Sequence, residues 1–336
     1  MDMASYNCLH KQEITTGEYT IVPIRYEDRL AIMKWRNEQM YHLRQEKILT
    51  ENDQEAYFQN IILPSYKEKT PAQILFSFLQ NEKCIGYGGL VHINWQSNQA
   101  EVSFIMASEL EADNFETNWV NFLHLLEKVA FSDLYLNSIF TYAYDLRPQL
   151  YKAIENAGFQ QSKRLEKEQL IEGKLIDVVI HTKKNPLQLR KATKNDVDIT
   201  FRWASDTNIR KYSFQQEAIT QEMHYAWYNS KINDPSSCLY LLLEKDSEVI
   251  GSIRYDINTE NEAIISYLID NNYHGLGYGN AILSLSLSAL VEKFSTVSQL
   301  IGFVVPENIA SRKIFERQGY LLDSSDQKKL KYIKQL

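Results

Sequence analysis

An internal repeat constrains this 336-residue chain more than any other feature. The stretch IVPIRYEDRLAIMKW (21–35) aligns with LRKATKNDVDITFRW (189–203), and Trp35 then occupies the same position as Trp203. Each stretch has the pattern of a strand, a turn and the start of a helix. A chain that repeats such a unit folds as two similar domains.

Three further pairs of segments match in the same order. They are IGYGG (85–89) with IGSIR (250–254), AEVSFIM (100–106) with AIISYLI (263–269), and KAIENAGF (152–159) with KIFERQGY (313–320). The offset between the copies falls smoothly through 168, 165, 163 and 161 residues, as a few small deletions would produce. We therefore predict two tandem domains, 1–184 and 185–336, joined in the polar, proline-containing stretch HTKKNPLQL (181–189).

The second copy alternates predicted strands and helices. The strands are 187–192, 238–245, 248–256, 262–269, 299–305 and 328–334, and the helices are 196–206, 220–231, 278–294 and 308–318. Apolar strands such as CLYLLLE indicate a sheet that is covered on both faces. The predicted fold class is α/β, with a mixed α+β sheet in each of two tandem domains.

The charge balance argues against a polyanionic partner. The chain has 36 basic and 43 acidic side chains and a net charge of −7, so it carries no basic footprint for nucleic acid or an anionic membrane. Its three cysteines fit neither a disulfide framework nor zinc-ligand spacing, so we predict no metal. No run approaches the roughly 18 apolar residues of a spanning helix, and the start lacks a signal-peptide pattern. We expect a soluble, cytoplasmic protein.

The stretch NNYHGLGYGNAIL (271–283) places three glycines at alternate positions. It follows the predicted strand AIISYLI and opens an amphipathic helix. The first N–H groups of a helix lack internal partners and the macrodipole is positive there, so an anion is favoured. Glycine removes the Cβ atoms that would keep a phosphate away. The loop is therefore predicted to bind phosphate.

This loop matches neither the P-loop nor the dinucleotide fingerprint. It resembles the acetyl-CoA loop of the GNAT acetyltransferases, whose pattern is Arg/Gln-x-x-Gly-x-Gly/Ala. His274 takes the Arg/Gln place and is followed by Gly275, Leu276, Gly277, Tyr278 and Gly279. The resemblance implies that the amides from about Leu276 to Asn280 hold the pyrophosphate of coenzyme A.

The segment VVPENIASRKIFERQGY (304–320) resembles the second block of the same family, which is a strand, Asn-x-x-Ser/Ala, a helix and Gly-Phe/Tyr. The matching residues are Asn308, Ser311, Phe315, Gly319 and Tyr320. The resemblance implies that acetyl-CoA lies between strands that end near Ile269 and Val305. It adds Leu268, Ile269, Asn308 and Phe315 to the expected coenzyme contacts.

Acyl transfer to an amine needs a base for the amine, donors for the oxyanion and an acid for the leaving thiolate. The family commonly supplies the acid from a tyrosine in the second block, where this chain has Phe315. Ser311, one helical turn earlier, is the best replacement, either directly or through a water, with Asn308 beside it. The fourth-strand glutamate of relatives is replaced by Ile264, so His224, Glu262 and a water chain all stay open as the base.

The region 203–257 resembles acetyltransferases of pseudaminic and legionaminic acid pathways, through IRKYSF, through His224 followed by YAWY, through INDP and through IGSIRYD. The resemblance implies a small-molecule amine acceptor, a nucleotide-linked amino sugar. Arginine pairs well with diphosphate, and aromatic faces stack on rings. The expected acceptor contacts are Trp203, Arg210, Tyr212, Phe214, His224, Trp227 and Arg254. Tryptophans in such positions belong to the core more often than they form a stacking face, and Arg254 could pair with a neighbouring acid.

The first copy departs from the family pattern at both motifs. Its counterpart of the glycine loop, ASELEADNFETNW (107–119), has no glycine and carries Glu109, Glu111, Asp113 and Glu116, which repel a pyrophosphate. Arg147 and Leu150 replace Asn308 and Ser311. We therefore predict a degenerate first domain that does not bind coenzyme A in the usual way. It could complete the acceptor pocket, support a homodimer or stabilise the second domain.

We predict an acetyl-CoA-dependent N-acetyltransferase that transfers the acetyl group directly in a ternary complex, without a covalent enzyme intermediate. Two alternatives stay open. A protein or peptide N-terminal acetyltransferase would share the glycine loop and Ser311. A non-catalytic regulator would bind coenzyme A and turn nothing over.

Overall fold

The computed structural model describes residues 4–171, 173–325 and 328–336. It divides into two compact units, one ending at Asn185 and the other beginning at Pro186. Each unit contains a mixed β-sheet flanked by helices. The predicted fold class, an α/β fold with a mixed sheet in each tandem domain, is confirmed.

The first unit consists of these elements. Its strands are β1 Ile14–Thr16, β2 Tyr19–Pro23, β3 Ile74–Gln80, β4 Lys83–Asn94, β5 Gln99–Met106, β6 Ser138–Tyr144, β7 Gln160–Ile171 and β8 Lys174–Lys184. Its α-helices are α1 Arg29–Glu38, α2 Glu51–Tyr57, α3 Leu63–Ser65, α4 Glu111–Glu127 and α5 Pro148–Asn156. Helices α2 and α3 are joined by the π-helical turn Phe58–Ile62, and a second such turn, Lys128–Asp133, follows α4.

The second unit consists of a similar series. Its strands are β9 Leu187–Lys191, β10 Cys238–Lys245, β11 Glu248–Ile257, β12 Glu262–Ile269, β13 Gln299–Val304, β14 Leu321–Ser325 and β15 Leu330–Gln335. Its α-helices are α6 Val197–Ser205, α7 Thr207–Arg210, α8 Gln221–Ile232, α9 Tyr278–Lys293 and α10 Ile309–Arg317. Every element predicted for this copy is present, with its ends shifted by two residues at most. The prediction omitted α7, which is too short to show a helical period, and β14, whose residues are all exposed.

The two sheets have the same topology. The first runs β1-β2-β3-β4-β5-β6-β8-β7 and the second runs β9-β10-β11-β12-β13-β15-β14. Apart from the short β1, each strand of the first sheet has a counterpart in the second. A parallel pair, β5 with β6 and β12 with β13, lies at the same place in both. The internal repeat is therefore a repeat of the fold.

Each copy starts with the same local structure. Trp35 in α1 and Trp203 in α6 are both buried. An arginine in each copy also pairs with the aspartate that precedes the helix, Arg25 with Asp28 and Arg190 with Asp196, each at 2.7 Å. Arg190 lies in β9 and Arg25 lies two residues beyond the end of β2, so each ion pair holds the chain near that strand to the start of the first helix.

The parallel strands of the second unit separate before they end. The hydrogen-bonded ladder between β12 and β13 runs from Glu262–Gln299 to Ile265–Gly302. Strand β12 continues to Ile269 while it pairs with β11 on its other side. The end of β12 and the start of α10, which follows β13, therefore form the two walls of an opening, which we call the splay. Away from the splay, the sheet of the second unit packs against its helices in a hydrophobic core. This core includes Ile282, Leu283 and Leu290 of α9.

Within the residues that the structure describes, no helix combines the length and the apolar character needed to cross a membrane.

Candidate active site

The glycines of the 270–280 loop serve different purposes. Gly275 and Gly277 have φ angles of 77° and 87°, in the left-handed region that side chains with a Cβ rarely adopt. Gly279 has ordinary helical backbone, but a Cβ there would lie 2.8 Å from Cδ1 of Ile314. The first two glycines therefore shape the turn, and the third allows α9 to pack closely against α10.

The turn leaves a row of backbone donors exposed at the start of α9. Gly277 is the N-cap residue and has no side chain to bond the first turn. The N–H groups of residues 276–279 have no acceptor among the described residues. The Asn280 amide, expected to be a further donor, already bonds the Gly277 carbonyl at 3.0 Å. Four N–H groups at the positive end of a 16-residue helix form an anion site.

Asp270 anchors this loop to the body of the domain. Its carboxylate accepts hydrogen bonds from the Trp203 indole at 2.7 Å, from Arg202 at 3.0 Å and from the Asn272 N–H at 3.0 Å. Burial raises the pKa of Asp270, but these hydrogen bonds outweigh it and hold the pKa below its usual value. Trp203 was expected to contact the acceptor. The structure instead places it in the core, beneath the loop.

Two more predicted coenzyme contacts lie in the core or fold back onto the loop. His274 forms a 2.8 Å hydrogen bond through Nε2 to the Ile269 carbonyl and so closes the turn after β12. Phe315 is only 2% exposed and stacks on Tyr332, with ring centroids 5.7 Å apart. Its ring also occupies the space that a side chain at Gly302 would need. Phe315 is thus a core residue and does not line the splay.

The wall of the splay formed by α10 begins with the predicted pair of polar residues. Asn308 is the N-cap residue, and its Oδ1 accepts a hydrogen bond from the Ser311 N–H at 3.1 Å. The Nδ2 of Asn308 has no partner among the described residues and so remains a donor. The Ser311 hydroxyl forms a 2.8 Å hydrogen bond with the Tyr267 hydroxyl of β12. This bond joins the two walls.

Tyr267 is a site residue that the sequence analysis did not identify. Burial raises its pKa to about 12, so the phenol keeps its proton at neutral pH. One signal was present in the sequence. Aligning AEVSFIM with AIISYLI places Tyr267 opposite Phe104, so the second copy carries a hydroxyl that the first lacks.

A cavity of about 630 Å³, which we call the acceptor cavity, opens beside β12. Its walls come from α6, α8, the loop after α7 and strands β10 to β12. The predicted residues that line it are Arg210, Phe214, His224, Trp227, Arg254 and Leu268. Residues that were not predicted also line it, among them Tyr240, Ser252, Ser266 and Tyr267. Because Tyr267 also contacts α10, the acceptor cavity and the splay meet at this residue.

Besides Trp203, two residues predicted to act on the acceptor, Tyr212 and Glu262, lie outside the acceptor cavity. Tyr212 is 39% exposed, and its ring contacts the Lys211 ammonium group. It does not line the cavity. Glu262 lies at the first residue of β12 and accepts a hydrogen bond from Asn258 at 2.7 Å. Tyr267 lies five positions further along the strand, a distance of about 16 Å. Glu262 therefore lies at the wrong end of β12 to act as the base.

His224 lies inside the cavity wall and is 3% exposed. Its Nε2 is 3.1 Å from the Thr200 hydroxyl, and its ring packs against Trp227 with centroids 5.4 Å apart. Burial lowers the pKa of His224 below its usual value, so the imidazole is neutral at pH 7. A neutral imidazole is able to accept a proton.

A second cluster in the cavity combines a cation with an aromatic face. The Arg254 guanidinium lies 4.8 Å from the centroid of Trp227. Its Nε donates to Asp256 at 2.8 Å, and its terminal nitrogens have no partner among the described residues. Arg210, in contrast, donates to the carbonyls of Ala204 and Gln215 and so shapes the loop after α7.

The first unit has different chemistry at the corresponding place. Arg147 and Glu111 form an ion pair at 3.0 Å, with Arg147 only 7% exposed. The Arg147 guanidinium also lies 5.5 Å from the Phe115 ring. Glu116, another of the predicted carboxylates, pairs with Lys152 at 2.8 Å. Side-chain ion pairs therefore lie where the second unit has its glycine turn.

The comparisons with known proteins identify the same kind of domain twice. Two models of an acetyltransferase (GNAT) domain match residues 21–180 and 187–321. No curated protein matches the chain. Among solved structures, a domain from Methanocaldococcus jannaschii DSM 2661 has a TM-score of 0.40 and 24% identity, covering 45% of this chain and 98% of its own. The spermidine N-acetyltransferase from Vibrio cholerae, in complex with CoA and spermine, has a TM-score of 0.44 and 21% identity, covering 51% and 97%.

Proposed function

The chain belongs to the GNAT acetyltransferases and carries two of their domains in tandem, and we propose that the second domain acetylates the amino group of a small molecule bound in the acceptor cavity. The observation that carries this proposal is the meeting of two features at Tyr267. On one side is the acceptor cavity, and on the other is the splay beside the free amides of the loop. A donor and an acceptor bound in these two places would meet there.

Acetyl-CoA is the acetyl donor of this family, and the loop fits its pyrophosphate. The unpaired N–H groups of residues 276–279 would hold the phosphate oxygens, as backbone donors at a helix start do. The free Nδ2 of Asn308 would donate to the pantetheine arm. The coenzyme supplies an activated acetyl group, and the residues of the chain orient it.

The acceptor class follows from the charges in the cavity. Among the described residues, the cavity lining includes Arg210 and Arg254 but a single carboxylate, Glu217. A polyamine would need several carboxylates, whereas an amine attached to a diphosphate would pair with the free terminal nitrogens of Arg254. Trp227 adds a half-exposed aromatic face for a ring. We therefore propose a nucleotide-linked amino sugar as the acceptor.

The chain's residues divide the acid–base work. His224 is neutral and would take the proton that the attacking amine releases, directly or through a water. Ser311 would donate a hydrogen bond to the leaving sulfur. Cys238 takes no covalent part because it is buried in β10 and burial raises its pKa to about 11, which keeps it a thiol. Transfer would therefore be direct, within one complex of enzyme, donor and acceptor.

Mass spectrometry of acetyl transfer tests this function. Full-length protein is incubated with acetyl-CoA and, in parallel, with nucleotide-linked 4-amino sugars, peptides and polyamines. The expected result is one added acetyl group on a nucleotide sugar and none on the other two classes. Acetylated peptide termini would favour a protein acetyltransferase, and acetylated polyamines would contradict the charge argument. Coenzyme binding without any transfer would favour a regulator.

We propose that the first domain binds no coenzyme A. The first residue of α4, Glu111, carries a negative charge and pairs with Arg147, and a buried guanidinium that is already paired is not available to a pyrophosphate. The measurement is the stoichiometry of acetyl-CoA binding by calorimetry. One coenzyme per chain is the expected value, and two would overturn the assignment.

A further inference from the structure

We propose that Tyr267 is a positioning residue, whose hydroxyl turns the Ser311 hydroxyl hydrogen toward the leaving sulfur of acetyl-CoA. The proposal deepens the function proposed above and rests on it. It starts from the geometry of one hydrogen bond. Tyr267 Oη and Ser311 Oγ are 2.8 Å apart across the splay, on elements that are 44 residues apart in sequence.

The direction of this bond decides what Ser311 can do. A phenol is a stronger hydrogen-bond donor than an aliphatic alcohol because its O–H is more acidic. Tyr267 therefore donates to Ser311 Oγ, and the hydrogen of the Ser311 hydroxyl is left to point elsewhere. Asn308 Oδ1 accepts from the backbone N–H of Ser311 and so fixes the first turn of α10. Held from both sides, Ser311 presents its hydrogen to the splay.

The protonation state of Tyr267 supports this direction. Burial raises its pKa to about 12, so the phenol carries its hydrogen throughout the pH range in which an amine can be acetylated. A chain of two hydroxyls also polarises the outer one, which strengthens its hydrogen bond to a group that becomes negative. The leaving sulfur is such a group.

The repeat supplies an independent observation. The first domain lacks the glycine turn, and the counterparts of Tyr267 and Ser311 there are Phe104 and Leu150. Both hydroxyls are therefore missing from the domain that lacks the glycine turn.

The reaction balances without further reagents. The amine nitrogen forms a bond to the acetyl carbon, and its released proton goes to His224 and then to solvent. The carbon–sulfur bond breaks, and its electron pair stays on sulfur, which the Ser311 hydroxyl stabilises by a hydrogen bond. The thiolate then takes a proton from solvent. Tyr267 keeps its own proton and acts only through Ser311.

The test is a double-mutant cycle with Tyr267→Phe, Ser311→Ala and the double variant in the full-length chain. Turnover is followed as thiol release from acetyl-CoA, with the amine acceptor and with water alone, because both reactions break the same bond. Acetyl-CoA dissociation constants and thermal unfolding are measured for every variant. Phenylalanine is a safe substitution because Phe104 occupies the same position in the first domain.

The chain offers a matched control. Tyr255 and Ser286 form another tyrosine–serine hydrogen bond, at 2.7 Å, within the core of the second domain. Neither residue lines the acceptor cavity. Tyr255→Phe therefore removes the same kind of bond without touching the site, and it should lower the unfolding temperature and leave kcat unchanged.

We expect kcat to fall about 10²-fold in Ser311→Ala and roughly tenfold or more in Tyr267→Phe, with unchanged dissociation constants for acetyl-CoA. The double variant should be no slower than Ser311→Ala, because Tyr267 acts through Ser311. The proposal would be overturned if the double variant lost kcat by the product of the two single losses. It would also be overturned if a higher dissociation constant for acetyl-CoA accounted for the lower turnover. Wild-type kcat in Tyr267→Phe would overturn it too, as would a wild-type enzyme that releases no thiol even to water. Transfer to no amine, with thiol release to water that depends on Tyr267, would contradict the acceptor assignment alone.

Discussion

The Tyr267 hydroxyl of β12 lies 2.8 Å from the Ser311 hydroxyl of α10, and this bond bridges the opening where the parallel strands separate. The surroundings of the two residues place this hydrogen bond between the acceptor cavity and the proposed coenzyme site. Tyr267 lines the acceptor cavity, and Ser311 follows the N-cap residue Asn308. The free amides of the loop lie at the start of α9, which packs against α10 at Gly279. Strand β12, helices α9 and α10 and the loop before α9 thus bring the residues of the proposed site together.

Replacing Gly277 with glutamate should abolish acetyl-CoA binding by the whole chain. The side chain would add a negative charge beside the free amides, where the pyrophosphate is expected to lie. Gly277 also has a φ of 87°, so any side chain costs about 1 kcal/mol of folding free energy. Isothermal titration calorimetry with acetyl-CoA measures the loss.

Gly17→Glu separates backbone strain from the effect on binding. Gly17 has a φ of 60° and open space around its Cβ position, like Gly277, but it belongs to the first domain. The control variant should show a similar loss of stability and normal coenzyme affinity. Unchanged affinity in Gly277→Glu would refute the placement of the pyrophosphate on this loop.

Trp203→Phe should lower both the stability of the second domain and its affinity for acetyl-CoA. The indole N–H donates to the Asp270 carboxylate at 2.7 Å, and a hydrogen bond to a charged group contributes about 1.5–3 kcal/mol. Without it, the loop that begins at Asp270 loses an anchor. Chemical denaturation and coenzyme titration measure the two effects.

Trp35→Phe is the corresponding change in the first domain. Trp35 is also buried, but its indole N–H forms no hydrogen bond among the described residues. The Trp35→Phe variant therefore measures how much stability is lost when the buried ring becomes smaller, with no hydrogen bond removed. Equal effects of the two substitutions on coenzyme affinity would mean that the anchor does not act on the loop.

Much of this architecture was predictable from the sequence, because hydrophobic period and glycine position report local structure. The strands and helices of the second copy appear within two residues of their predicted ends. The side chains were harder to assign. Glu262 and Tyr267 occupy the same strand, and only the direction of β12 relative to the loop shows that the tyrosine reaches the site. Trp203 looked like a stacking platform, but its indole N–H has a buried carboxylate partner that lies 67 residues away in sequence.

The stability that Asp270 confers should depend on pH in one direction. Its folded pKa lies below the ordinary value of 3.8, so the charged form is favoured in the folded state. The contribution is therefore complete above about pH 4 and is lost as the pH falls through the lower folded pKa. The free energy of unfolding of Asp270→Asn should be well below that of the wild type at pH 7, and the gap should narrow toward pH 3. A gap that widens on acidification would contradict the assigned pKa direction.

Arg147→Asn should destabilise the first domain without changing the binding of acetyl-CoA. The substitution leaves Glu111, which is only partly exposed, without its cation, and removing one partner of a largely buried pair is costly. We expect a lower unfolding temperature and an unchanged stoichiometry of one coenzyme per chain. Lys152→Asn, which breaks the more exposed pair with Glu116, should have a much smaller effect on stability. A change in coenzyme affinity in either variant would indicate that the first domain contributes to the coenzyme site.

Arg254→Gln should raise the KM for the nucleotide-linked acceptor about tenfold to a hundredfold and leave the KM for acetyl-CoA unchanged. Arg254 lines the acceptor cavity, its terminal nitrogens have no partner among the described residues, and a charge-assisted pair with a diphosphate is worth about 1.5–3 kcal/mol. Lys231→Gln is the matched control, because Lys231 pairs with the same Asp256 at 2.9 Å but does not line the cavity. Steady-state kinetics with both substrates varied gives the two KM values. If Lys231→Gln raised the acceptor KM as much as Arg254→Gln, the effect would come from Asp256, and Arg254 would have no direct role in binding the acceptor.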